Sequence, residues 1–177
     1  PADLSDHAKK AILYNAKLCQ SLGHDVEEIN LDYDPLLLLR SFVIVIACHV
    51  SQMFDELKEL MGRKYKNYEI ENSSRMFDYI GRKFSGNDYV SAQKIMQNIA
   101  RKIMIQMNAY DAVIMPIISQ PPPFLGKIPP SSFAEFRYSA LINFKLGWIF
   151  QIKFLRDIIL NKLAPESMWY APDVFLQ

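Results

Sequence analysis

With 177 residues, 50% of them hydrophobic and 22% charged, the chain has the composition of a single globular domain able to bury a core. Its formal net charge of +1 argues against nucleic acid or an anionic membrane surface as a partner. Both cysteines, Cys19 and Cys48, fall in apolar helical patterns and read as small buried thiols, not as a disulfide. The expected location is the cytoplasm.

Taken in chain order, Ser5 or Asp6 caps a helix reaching about Leu22, with Ala8, Ala11, Ile12, Cys19 and Leu22 near one face. Gly23 suits the position just past a helix end, where a left-handed backbone costs glycine little. Residues 24–31 alternate, which predicts a short strand with Val26 and Ile29 turned inward. Asp34-Pro35 then supplies a capping carboxylate and a proline at the first helical position. That helix is expected to run to Leu60 and stop at Gly62, with a break near His49.

Residues 36–50 are the one stretch that suggests a membrane. Arg40 interrupts them, and the unbroken apolar run covers only 42–48, against the roughly 20 residues a spanning helix needs. A buried core helix and no membrane contact are therefore expected. The polar and aromatic residues 63–72 read as a connector. Ser73 or Ser74 is the expected cap of a short helix ending near Gly81, and Asn87 or Asp88 that of a long one reaching Asn108. In the long helix Val90, Ile95, Ile99, Ile103 and Met107 recur mostly every four residues and form one predicted buried stripe.

The most distinctive stretch is 110–126. Residues 112–115 have the length and β-branched content of a buried strand, and Pro116 ends it because proline cannot donate to a ladder. Pro121, Pro122 and Pro123 stiffen the exit. A strand ending in a rigid loop places polar tips beside a pocket, which singles out Ser119 and Gln120. Residues 133–144 form a further predicted helix, capped by Ser131 or Ser132, and residues 145–177 a tail that is helical over about 148–163.

Other constellations favour structural roles. His7, His24 and His49 lack metal-site spacing, and no Cys-x-x-Cys or His-x-x-x-His pair occurs, so no metal or cofactor is expected. Cys48 and His49 are adjacent on a helix, where such side chains diverge by about 100°, which favours a packed helix position over a nucleophile pair. Asp32 and Asp34 could act as paired carboxylates, but Asp34 already serves as a cap. The Lys and Tyr residues of 65–68 read as a solvated loop, not a stacking platform for single-stranded nucleic acid.

Residues 21–28 (Ser-Leu-Gly-His-Asp-Val-Glu-Glu), Gly81-Arg82, Asp88-Tyr89, Arg101, Tyr110-Asp111, Met115-Pro116-Ile117, Gln120-Pro121-Pro122-Pro123 and Gly126 follow one another in a distinctive order. That series resembles the C-terminal half of amidase-signature hydrolases, especially the branch acting on linear and cyclic amide oligomers. The resemblance covers about 7–144. It departs from the family at Ile117, where a Thr is usual, and after Asn143, where a Thr-Gly-x-Pro turn is replaced by Phe144-Lys145-Leu146-Gly147-Trp148. A reading-frame change near Phe144 is one explanation; a divergent tail is the other.

The resemblance implies an α/β fold, mostly helical, in which few short strands join a mixed central sheet covered by helices. It implies two regions, 1–144 as the C-terminal portion of an amidase-like domain and 145–177 as a divergent tail. The family's catalytic Lys and two Ser lie N-terminal to the matching region, and only Ser85-Gly86 here joins Gly to a Ser neighbourhood. No catalytic residue is therefore assigned; the expectation is an amidase fragment inactive alone. Pro116, Ile117, Ser119, Gln120 and Asn143 are the expected lining of an amide pocket. Expected partners are a small-molecule amide and a complementary N-terminal half or a second copy. The alternative is a non-catalytic helical module for protein interaction or self-association.

Overall fold

A computed structural model describes residues 4–116 and 121 of the chain. Four helices account for most of them: α1 (Asp6–Ser21), α2 (Pro35–Met61), α3 (Asn72–Gly81) and α4 (Gly86–Met107).

Local chemistry sets most of the boundaries. Ser5 Oγ accepts from the Ala8 N–H at 3.3 Å, and Asp6 places a negative charge in the first turn of α1. At the other end Gly23 adopts φ +91°. Its N–H donates to the Gln20 carbonyl, and the His24 N–H donates to the Cys19 carbonyl. This paired closure satisfies two carbonyls that the helix leaves over. Asp34 Oδ1 accepts from the N–H groups of Leu36 and Leu37 at 2.9 and 3.0 Å, and Pro35 opens α2 with a preset φ. Gly62, at φ +64°, closes α2, which runs through His49 unbroken.

Two expected caps shift. Glu71, not Ser73 or Ser74, precedes α3, and no side chain caps that helix. Ser85, not Asn87 or Asp88, caps α4. Its Oγ accepts from the Asp88 N–H at 3.1 Å while Asp88 Oδ2 accepts from the Ser85 N–H at 2.9 Å. Asp88 thus sits three residues inside the cap and completes a reciprocal box.

The core forms where α2 packs against α3 and α4. Val43, Ala47 and Ile80 are its buried centre, with Ile44, Phe77, Tyr79 and Phe84 packed around them. Ile80 has 0% of its surface exposed, and its burial is worth about 1.5–3 kcal/mol. Ala92 and Ile99 are the buried residues of α4. Val90 is 61% exposed, so it leaves the stripe expected for it; the small side chain of Ala92 faces inward instead. α1 contributes no buried residue, and Leu13, Tyr14, Leu18 and Leu22 stand exposed along it.

The α/β expectation is corrected here: the described residues contain no strand. Residues 24–31 and 112–116 are non-helical but belong to no ladder. A strand exists only through a hydrogen-bonded neighbour, and the residue just past the first segment, Asp32, meets side chains of α4 instead. Gln106 Oε1 accepts from the Asp32 N–H at 2.7 Å, Gln106 Nε2 donates to the Asp32 carbonyl at 3.3 Å, and Lys102 Nζ donates to Asp32 Oδ2 at 2.7 Å. The expected helix over 133–144 and the tail over 145–177 lie outside the described residues.

α2 is long and apolar enough to cross a membrane, with a mean hydropathy of 1.8 over an 18-residue stretch. It is also the element on which α3 and α4 pack, through Val43, Ala47, Ser51 and Phe54 among others.

Candidate functional site

Of the five residues expected to line a pocket, Pro116 is described: it is half-buried at the end of the 112–116 segment. Ile117, Ser119, Gln120 and Asn143 lie outside the described residues. The start of that stretch is anchored. The Tyr110 hydroxyl donates to Glu27 Oε1, across 83 positions of sequence, and this bond holds the Tyr110 proton more firmly than usual. With the Asp32 contacts, it fastens residues 27–32 to the C-terminal end of α4 and to Tyr110.

A polar cluster emerges elsewhere, where the C-terminal third of α2, the 62–71 connector and α3 meet around a cleft of about 250 Å³. Phe54, Asp55 and Lys58 line it from α2, Lys64 and Tyr65 from the connector, and Asp78 and Arg82 from α3 and its end. Asp78 is buried. Its Oδ1 accepts from Arg82 Nε at 2.7 Å and its Oδ2 from the Tyr65 hydroxyl at 3.0 Å. The same guanidinium turns outward to Asp55, with Nη2–Oδ1 at 2.8 Å and Nη1–Oδ2 at 3.2 Å. Its Nη2 also donates to the Ser51 carbonyl at 3.3 Å. Arg82 thereby bolts the end of α3 to α2.

The charges follow this wiring. Hydrogen bonding to Arg82 pulls the Asp55 carboxyl below its ordinary value, and the bond to Asp55 lifts the Arg82 guanidinium. Burial, then the negative charge of Asp78, raises the Tyr65 phenol. Tyr65 is held as a neutral donor, edge-on to Phe54 with ring centroids 4.9 Å apart. On the connector's outer side Arg63 binds both oxygens of Glu69, and the Lys66 N–H adds a third bond. Together these lower Glu69 to about 2.

The arrangement suits binding better than acid–base or nucleophilic work. Both carboxylates of the cleft are occupied by Arg82 and Tyr65, and the one phenol is kept protonated. A smaller exposed chain runs from Gln93 Nε2 to the Tyr89 hydroxyl at 2.9 Å, which lies 3.1 Å from His49 Nε2. Cys48 turns away from His49, its Sγ 4.0 Å from the Gly81 carbonyl, and burial raises its thiol. Among the described residues no group of three or more His, Cys, Asp and Glu could hold a metal ion.

Residues 65–68 have the composition of a solvated loop, which gives no sign that the Tyr65 hydroxyl reaches Asp78. The Asp78/Arg82 spacing of four on a helix was the available signal. Asp55, 27 positions from Arg82, left none.

Comparison of the chain with protein-family models, with curated proteins and with solved structures found no match.

Proposed function

We propose that the chain is the C-terminal portion of an amidase-signature amidohydrolase. The parent reaction is hydrolysis of an amide C–N bond through an acyl-enzyme, with a Lys-supported pair of serines and backbone N–H groups for the oxyanion. Those catalytic groups lie outside this sequence; the chain supplies pocket wall, around Pro116, Ile117, Ser119, Gln120 and Asn143, and works with a complementary half in the cytoplasm.

The observation that carries this reading is the ordered series from Arg101 through Tyr110-Asp111 and Pro116 to Gln120-Pro121-Pro122-Pro123 and Gly126. The contact between Tyr110 and Glu27 supports it, because two of the resembling segments, distant in sequence, meet in space. The second reading, a non-catalytic interaction module, is favoured by the exposed apolar residues of α1 and by Leu36 and Leu37 at the start of α2.

The test is hydrolysis of a panel of aryl and aliphatic amides by the purified chain, with and without a serine-reactive fluorophosphonate. The expected result is no turnover and no labelling alone. Turnover should appear when the chain is co-expressed with an upstream reading frame encoding the Lys and the Gly/Ser-rich Ser core. Probe-sensitive turnover by the chain alone would place a nucleophile within it and end the fragment reading. No such upstream frame, or silence in its presence, would leave the interaction module.

A further inference from the structure

We infer that the cleft between α2, the 62–71 connector and α3 binds a small organic carboxylate with an apolar body. The cleft is charge-unbalanced in a specific way. Three cations, Lys58, Lys64 and Arg82, face two carboxylates, Asp55 and Asp78, which leaves one positive charge in excess. The carboxylates are already committed. Asp78 spends one oxygen on Arg82 and the other on Tyr65, and Asp55 spends both on Arg82.

Lys58 and Lys64 take part in no ion pair among the described residues; Lys64 Nζ stands 5.8 Å over the Tyr65 ring and Lys58 acts on Asp55 only through its charge. Arg82 cannot swing to a ligand without abandoning Asp78, so recognition of an anion falls to the two lysines. Between them the wall is aromatic, Phe54 and Tyr65 meeting edge to face. A carboxylate on the lysines with its apolar part against those rings matches both features, and one negative charge restores neutrality. The binding requires no nucleophile and stands independently of the amidase reading, since its readout is occupancy and not turnover.

The experiment uses the full chain, ¹⁵N-labelled, titrated with sodium benzoate. Parallel titrations use benzamide, inorganic phosphate and sodium chloride at matched ionic strength. Saturable shifts are expected for residues 54–58, 64–65 and 78–82 with benzoate, and not with the neutral benzamide. The double variant Lys58→Gln/Lys64→Gln keeps its fold, both lysines being exposed, and should bind benzoate about tenfold more weakly or worse, the scale of one charge-assisted contact. Shifts that never saturate or that sodium chloride reproduces would overturn the proposal. So would equal binding of benzamide, phosphate binding as tight as benzoate, or a double variant that binds unchanged.

Discussion

Gly81 of α3 lies so close to Ala47 of α2 that a Cβ on it would stand 2.0 Å from the Ala47 carbonyl oxygen and 2.6 Å from its carbonyl carbon. Those atoms are backbone and cannot step aside without moving the helix. An alanine in a helix ordinarily gains about 0.5–1 kcal/mol over glycine. Here overpacking opposes that gain and wins, so Gly81→Ala should cost about 1–3 kcal/mol or more. Urea denaturation reads it as a lower midpoint. An unchanged or raised midpoint would mean that α2 and α3 do not approach in this way.

What was legible follows from how local each cause is. Ser5, Gly23, Asp34-Pro35 and Gly62 mark helix ends because each acts on backbone within a turn of itself, and the structure uses all of them. The start of α4 slipped from Asn87 or Asp88 to Ser85, because a reciprocal box needs the acid at the third helical position and the hydroxyl at the cap. Residues 24–31 carry a strand's alternation, yet a strand is made by its neighbour, and residues 27–32 meet Tyr110, Gln106 and Lys102 instead. The cleft was illegible for the same reason: Asp55 meets Arg82 only because Gly81 lets α3 settle onto α2.

Within the cleft, Asp78 and Asp55 share one guanidinium but differ in burial, and that difference sets their worth. Asp78→Ala strips partners from both Arg82 and the partly buried Tyr65 hydroxyl, and should cost about 1–3 kcal/mol. Asp55 is 51% exposed in its side chain, so Asp55→Ala should cost less than Asp78→Ala. The two substitutions share Arg82 and should not add. A double-mutant cycle with zero coupling, or an Asp55 effect larger than that of Asp78, would contradict the wiring.

At the start of α4, adjacent substitutions should move stability in opposite directions. Ser85→Ala removes the side-chain half of the capping box and should lose about 1 kcal/mol. Gly86, at the first helical position, has nothing within 4 Å of where a Cβ would stand. Gly86→Ala should therefore gain about 0.4–1 kcal/mol, mainly by restricting the unfolded chain. Thermal unfolding of the two variants distinguishes the signs, and a destabilised Gly86→Ala would show a contact there that the structure lacks.

Acid should loosen the connector before the core. Glu69 titrates near 2, below the usual glutamate value, because Arg63 and the Lys66 N–H bind its charged form. Its contribution is therefore complete above about pH 4.5 and fades as pH falls toward 2. Asp55, lowered by Arg82, loses its own contribution in the same direction. Tyr65 behaves oppositely: its raised phenol protects the fold below about pH 10 and ceases to do so as pH rises through the folded value. The Arg63–Glu69 pair lies at the protein surface, so the acid effect is local and salt should blunt it. Amide exchange should show residues 63–69 losing protection below pH 4.5 while Val43, Ala47 and Ile80 keep theirs, and Glu69→Gln should abolish the pH dependence at the connector. Protection of 63–69 that is flat from pH 5 to 2 would mean that the Arg63–Glu69 clasp does not hold the loop in solution.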